Sequence, residues 1–170
     1  ASASKPRSWL SKNAMSSGQA PIPRQGYGLA LVDANVFLHG GHTGADYATL
    51  NDMYVLSPEN KLWTDITDLV TGDVPLPRSY FGFVPVGDAI FLFGGYRCNQ
   101  CNMYDDLFKF WPSAMRWDKL SPSGSRPGGR SQAAYGSLGT KMYMHGGLGC
   151  GGSGFPCPRN DLWVFDTQSN

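Results

Sequence analysis

The sequence has little charge, no long apolar run and only one glutamate, Glu59. Charged residues make up 16% of the 170 residues, the formal net charge is +1, and lysine and arginine are scattered rather than grouped into a basic stripe. A nucleic-acid-binding surface is therefore not expected. No run approaches the ~20 apolar residues that cross a bilayer, so membrane insertion within this segment is not expected either. Residues 1–5 also lack the apolar core of a signal peptide.

Helical periodicity and catalytic motifs are also missing. The 22 glycines, 12 prolines and 13% aromatic residues favour many short strands joined by turns, which predicts an all-β fold. No glycine-rich phosphate loop, Ser-His-Asp set or carboxylate pair stands out. We therefore predict a protein that is not an enzyme and that holds neither a cofactor nor a metal.

What the chain does have is a repeat, marked by three Gly-Gly pairs that each end a short apolar run. The pairs are Gly40-Gly41, Gly94-Gly95 and Gly146-Gly147. An arginine precedes each pair and an aspartate follows it, and these are Arg24, Arg78 and Arg130, then Asp52, Asp106 and Asp161. Tryptophans recur 54 residues apart at Trp9, Trp63 and Trp117. Three markers in phase indicate a repeat of about 53 residues.

Each unit predicts four strands, named A after the arginine, B into Gly-Gly, C after the aspartate and D at the tryptophan. The strand order is then D-ABCD-ABCD-ABC. The predicted boundaries are 1–23 for the last strand of a preceding unit plus its link, 24–77 and 78–129 for two complete units, and 130–170 for a third unit without its outer strand.

This arrangement of Arg, Gly-Gly, Asp and Trp resembles the kelch repeat across essentially the whole chain. The resemblance implies a β-propeller of four-stranded antiparallel blades, with strand A innermost and strand D outermost. Propellers close with roughly four to eight blades. We therefore expect the three blades to need further blades, from the same chain or from a second copy. In the second case the Trp9 strand would pair with strand C of the other copy.

The glycine pairs, the aspartates and the tryptophans have structural roles in this interpretation. Glycine permits close backbone approach and positive φ, aspartate accepts hydrogen bonds from loop N–H groups, and tryptophan fills the wedge between blades. Arg24, Arg78 and Arg130 leave two alternatives open. They could line a central ligand pocket, as kelch propellers allow, or they could bond loop carbonyls and lock the blades, which we favour.

Partner binding is predicted on the face that carries the B–C loops, because loops on a rigid scaffold usually carry binding residues. The candidates are the three arginines and the polar or aromatic loop residues His42, Tyr47, Tyr96, Arg97, Tyr104 and Phe155. Such side chains suit a protein or glycan partner. Solvated connecting loops are the alternative.

Four cysteines fall as two pairs in the second and third B–C loops. Equivalent positions in adjacent sheets should be ~10 Å apart, beyond the ~7 Å reach of a disulfide, so we predict the within-loop pairs Cys98–Cys101 and Cys150–Cys157. A four-thiolate zinc site and reduced thiols are the alternatives.

We therefore predict a non-enzymatic recognition module of a larger protein, located outside the cell or in the secretory lumen because of the paired cysteines. The alternatives are a structural blade set in a large assembly and a cytoplasmic kelch adaptor. A copper enzyme resembling galactose oxidase is disfavoured, because its Tyr, Tyr, His, His and Cys set cannot be assembled here.

Overall fold

The computed structural model describes residues 17–44, 48–97, 103–150 and 156–168, and these residues form sixteen short strands with two single-turn 3-10 helices. The expected all-β class is confirmed. The 3-10 turns span Thr67–Leu69 and Pro112–Ala114. The strands are β1 Ser17–Gly18, β2 Gly28–Val32, β3 Asn35–His39, β4 Met53–Ser57, β5 Leu62–Asp65, β6 Thr71–Gly72, β7 Gly82–Val86, β8 Ala89–Phe93, β9 Leu107–Trp111, β10 Arg116–Leu120, β11 Arg130–Ser131, β12 Ala134–Leu138, β13 Lys141–His145, β14 Leu148–Cys150, β15 Pro156–Pro158 and β16 Leu162–Asp166.

The first two blades contain the predicted A, B, C and D strands in antiparallel order, as β2–β5 and β7–β10. Each sheet also has a fifth strand that the repeat did not predict. The link after a D strand runs along the D strand of the next blade, so β1 pairs in parallel with β5 and β6 with β10. Both added strands end in a glycine at positive φ, Gly18 and Gly72. A Cβ there would lie within 2.4 Å of a tryptophan carbonyl oxygen, so only glycine fits without movement.

The third blade is described as a three-stranded antiparallel sheet, in which β13 lies between β12 and β16. The strands are A, B and C of the repeat. Among the described residues, no strand pairs with the outer edge of β16. A separate small sheet of β11, β14 and β15 forms where the B–C loop folds back against the Arg130 segment.

The blades pack through their inner strands, and glycines on these strands receive aromatic rings from the following blade. A Cβ on Gly28 would lie 2.5 Å from the Phe83 ring, and a Cβ on Gly82 would lie 2.4 Å from the Tyr135 ring. Because glycine has no side chain, adjacent sheets can approach closely at these positions. The glycines therefore determine how tightly the blades pack near the propeller axis.

The tryptophan of the second blade is enclosed between the first two blades. Trp117 is 1% exposed, and its ring lies 5.4 Å from that of His39 in the first blade. Trp63 of the first blade is half-buried and packs edge-on against Tyr54. Trp9 lies outside the described residues, and the blade boundaries stay predictions.

Candidate functional site

The B–C loops and the segments that begin each A strand form one face of the molecule, which we call the loop face. In the first blade His42 bridges to Gln25 on one side and to Thr49 on the other. Tyr96 bridges Ser79 and Met103 in the same way, and β11, β14 and β15 repeat the arrangement in the third blade. Each loop therefore forms a short hairpin that is hydrogen-bonded to its own blade rather than a loose connection.

The three arginines lie beneath these hairpins, and each guanidinium binds acceptors of its own blade. Arg78 donates to both carboxylate oxygens of Asp106, with N–O distances of 2.6 and 3.1 Å, and to the carbonyl of Gly94 at 3.0 Å. Its Nε donates to the carbonyl of Leu76. The side chain is fully buried, so this bidentate pair ties the start of strand A to the start of strand C.

The other two blades repeat this contact. Arg24 binds Asp52 and the carbonyl of Gly40, and Arg130 binds Asp161 and the carbonyl of Gly146. The hydrogen bonds from Arg130, and next that from the Trp163 indole, hold the pKa of Asp161 well below its usual range. The aspartate thus remains ionised at neutral pH and keeps the arginine paired.

Backbone hydrogen bonds at the same level join neighbouring blades. The N–H of Gly41 donates to the carbonyl of Arg78 at 2.9 Å, and the N–H of Gly95 donates to the carbonyl of Arg130 at 2.8 Å. The arginines therefore lie where one blade meets the next. Ligand contact by the three arginines stays a prediction.

An aromatic group lies on the loop face across the joint between the first two blades. We call His42, Tyr80 and Tyr96 the tyrosine cluster. The Tyr80 and Tyr96 rings stack with centroids 5.8 Å apart and planes at 10°, and the His42 ring lies 5.5 Å from Tyr80. His42 is buried and Gln25 contacts its Nε2 at 2.9 Å, whereas both tyrosines are half-buried. The cluster thus presents two partly exposed phenols on a rigid base.

Tyr80 was missing from the predicted site residues. It has a φ of +56°, and the equivalent residues Gly26 and Gln132 also have positive φ. Its N–H donates to the carbonyl of Gly26 at 2.7 Å, and its carbonyl accepts from Gln132 at 3.0 Å. A tyrosine in this left-handed conformation is uncommon, and residues in such conformations cluster at functional sites. The available sequence signal was its alignment with Gly26, two residues after the arginine.

The remaining predicted residues of the loop face have different surroundings. Arg97 is exposed beside the cluster, whereas Tyr104 stacks on the Arg78 guanidinium at 4.1 Å from its ring centroid. Tyr47 and Phe155 lie outside the described residues. The structure therefore brings Tyr96 and His42 together with Tyr80, and it places Tyr104 on the buried arginine.

The predicted disulfides stay predictions. Cys98 and Cys101 lie outside the described residues. In the β14–β15 pair Cys157 is exposed and lies opposite Gly149, while Cys150 lies opposite Pro156.

The described ranges contain no group of three or more histidine, cysteine, aspartate or glutamate residues placed to hold a metal ion. Nor do they contain a helix with the length and apolarity needed to span a membrane.

The chain consists of repeated antiparallel blades, and each blade contains one Arg–Asp ion pair. This arrangement defines the chain as part of a β-propeller. The KLHDC2/KLHL20/DRC7 Kelch-repeats domain matches residues 3–147 and, in a second alignment, residues 69–170. Together the two alignments cover all but the first two residues. The chain belongs to the kelch-repeat family.

Several curated proteins are similar to the chain. Kelch domain-containing protein 3 of Homo sapiens is 30% identical over 159 residues, which cover 89% of this chain and 41% of that protein. The Rab9 effector protein with kelch motifs of Bos taurus is 32% identical over 108 residues, or 62% of this chain and 28% of its own length. The Rho GTPase-activating protein gacHH of Dictyostelium discoideum is 28% identical over 146 residues, or 81% and 9%. The chain spans less than half the length of these relatives.

Proposed function

We propose that the chain is a non-enzymatic module that recognises a protein partner through its loop face, with the tyrosine cluster and Arg97 as the contact. The observation that carries this proposal is the Tyr80–Tyr96 stack, two partly exposed phenols held on hydrogen-bonded hairpins. Tyrosine and arginine are the residues that most often dominate the binding energy of protein interfaces. A pre-ordered pair also loses little conformational entropy when a partner binds.

The geometry of the stack favours a polypeptide over a glycan. The two rings lie nearly parallel, at 10°, so each ring covers one face of the other. Their partly exposed outer faces and edges can pack against the side chains of a peptide. The name of one relative, the Rab9 effector protein with kelch motifs, supports the same choice. A purely structural blade set is the alternative function.

The cellular setting is part of the proposal. The names of two relatives, a Rab9 effector and a Rho GTPase-activating protein, support a cytoplasmic adaptor, which was the alternative to an extracellular module. The extracellular location depends on the paired cysteines, and a thiol titration of the denatured, unreduced chain tests it. Four reactive thiols would contradict the disulfides and leave the cytoplasmic adaptor.

Peptide-display selection against the 170-residue chain, followed by fluorescence polarisation with a selected peptide, tests the site. Tyr80→Gly is the most informative variant, because glycine suits the positive φ and is the residue of the first blade at this position. We expect binding to weaken roughly 10- to 30-fold, as for an interface tyrosine that contributes about 2 kcal/mol.

Asp88→Ala is the matched control, because Asp88 is exposed in the turn between β7 and β8, at the other end of the same strands. Its binding should equal that of the unchanged chain. Unchanged peptide affinity in Tyr80→Gly and Arg97→Ala would contradict the proposed contact. Binding retained after replacement of the B–C loops by short turns would favour the structural alternative.

A further inference from the structure

The link that leads from β6, at the outer edge of the second blade, to Arg78 carries two exposed aliphatic side chains. We call residues 73–77 of this link the blade link. Val74 is 43% exposed and Leu76 is 61% exposed, whereas Pro75 between them is fully buried. The blade link therefore turns both aliphatic side chains outward and anchors itself through the proline.

Hydrogen bonds hold the blade link at both ends. The N–H of Val74 donates to the carbonyl of Gly72 at 3.0 Å, and the Nε of Arg78 donates to the carbonyl of Leu76 at 3.0 Å. The ring of Pro75 also fixes the backbone φ at that residue. Exposed side chains on such a pre-ordered segment lose little conformational freedom when a partner covers them.

The blade link runs directly into the tyrosine cluster. Leu76 precedes Tyr80 by four residues, so their Cα atoms are at most about 14 Å apart. Ser79 pairs antiparallel with Tyr96, so the chain after Tyr96 runs back along the start of strand A toward the blade link. The exposed Arg97 therefore lies between the tyrosines and the aliphatic side chains. We call this surface the binding strip, and its residues are Val74, Leu76, Tyr80, Tyr96 and Arg97.

The link of the third blade has no such strip. The repeat makes Val74 equivalent to Arg126, and it makes Leu76 equivalent to Gly128. Arg126 pairs with Asp105 at an N–O distance of 3.9 Å. The link of the third blade thus presents an ion pair and a glycine where that of the second blade presents aliphatic side chains.

The link of the first blade has only part of the strip. Ile22 is equivalent to Leu76 and is 52% exposed. The residue equivalent to Tyr80 is Gly26, which has no ring to continue the apolar surface. Among the described residues, aliphatic and aromatic side chains are therefore joined on one link only, and this difference between blades favours recognition over a packing role common to the repeat.

Arg97 gives the binding strip a positive charge. Its side chain is exposed, and none of the ion pairs between described residues includes it. The other four residues of the strip are uncharged. An acidic side chain on the partner would complement this charge, and such complementarity fixes the register of a bound segment.

We propose that the binding strip takes an extended peptide segment of a protein partner, with an aliphatic side chain over Val74 and Leu76 and an acidic side chain at Arg97. This inference rests on the proposed function, because the tyrosine cluster forms the inner end of the strip. An extended segment of about five residues is long enough to reach from the tyrosines to Leu76. Contact between aliphatic side chains removes apolar surface of both partners from water, which favours binding.

The labelled peptide from the display selection is the probe, and its fluorescence polarisation is measured with variants of the 170-residue chain. Leu76→Ser should weaken binding roughly tenfold, as expected when one aliphatic side chain is lost from an interface. Ile22→Ser is the matched control, because it makes the same change at the equivalent, similarly exposed position of the first blade. Its affinity should equal that of the unchanged chain.

Changes in the peptide identify which residues face each other. Replacing its aliphatic residue by alanine should weaken binding to the unchanged chain and have little further effect on Leu76→Ser. Replacing its acidic residue by the corresponding amide should weaken binding to the unchanged chain and have little effect on Arg97→Gln. Additive losses in both cycles would overturn the proposed arrangement of the peptide.

The variants also separate this inference from the proposed function. Weaker binding in Tyr80→Gly together with unchanged binding in Leu76→Ser would overturn the binding strip and leave the tyrosine contact in place. Unchanged affinity in both variants, or a selection that yields no binding peptide, would overturn both. Selected peptides that bind without an aliphatic or an acidic residue would overturn the binding strip alone.

Discussion

The second and third blades carry the same motif residues but differ in how completely they are packed. Arg78 and Arg130 are both buried and both bind an aspartate through two bonds. The aspartate side chain is 17% exposed in the second blade and 38% in the third. The outer wedge between the first two blades holds Trp117, whereas the equivalent place between the second and third blades is a groove of about 900 Å³. The Arg–Asp pair thus forms within each blade, whereas the packing of the outer half depends on a tryptophan-bearing D strand.

The largest expected effect comes from removing the tryptophan that fills the wedge. Trp117→Ala should reduce the free energy of unfolding by about 3–5 kcal/mol, because a fully enclosed indole is replaced by a cavity. Trp163→Ala, in the half-open third blade, should cost clearly less, since one side of its ring borders the groove. Urea denaturation followed by circular dichroism measures both. Equal losses would mean that the two blades are packed alike.

A second contrast concerns the histidine before Gly-Gly, which is buried in the first blade at His39 and exposed in the third at His145. Burial, and next the positive charge of Arg78, lower the pKa of His39 from 6.5 to about 4. The unfolded chain takes up a proton near pH 6.5 and the folded chain only near pH 4. Acidification between these values therefore favours unfolding, by up to roughly 3 kcal/mol.

The control for this pH dependence is His39→Phe, because phenylalanine is the residue of the second blade at the same position, Phe93. The free energy of unfolding is measured by urea titration at several pH values from 7 to 4 for both chains. The loss between pH 6.5 and 4 should be smaller in His39→Phe. Parallel curves for the two chains would assign the acid sensitivity to other groups.

The smallest expected effect compares two glycines on inner strands. Gly82→Ala should destabilise the chain by about 1–3 kcal/mol, because the new Cβ would lie 2.4 Å from the Tyr135 ring. Gly136→Ala, where a Cβ meets nothing within 4 Å, should be neutral or stabilising by up to about 1 kcal/mol. Thermal denaturation of the two variants distinguishes them. A Gly136→Ala chain as unstable as Gly82→Ala would contradict this difference in the surroundings of the two glycines.

Much of the candidate site could be placed from sequence because the repeat gives each position a role. The phase of Gly-Gly, Arg and Asp predicted the strand order and the loop face that carries His42 and Tyr96. Tyr80 was missed although it aligns with Gly26, because its φ of +56° and its stack on Tyr96 are features of the folded loop face rather than of the repeat pattern. The fifth strands were missed because β1 and β6 are two residues long, which leaves no periodic pattern.

The sequence by itself determined the repeat, the all-β class and the identity of the residues at each blade position. A fixed spacing of glycine, arginine, aspartate and tryptophan is enough for this, because each acts within its own blade or on the backbone next to it. Only the tertiary structure decided which equivalent positions are buried, since Trp117 and Trp63, or His39 and His145, differ in what the adjacent blade places against them. Burial is a property of the packed pair of blades, and no single repeat unit encodes it.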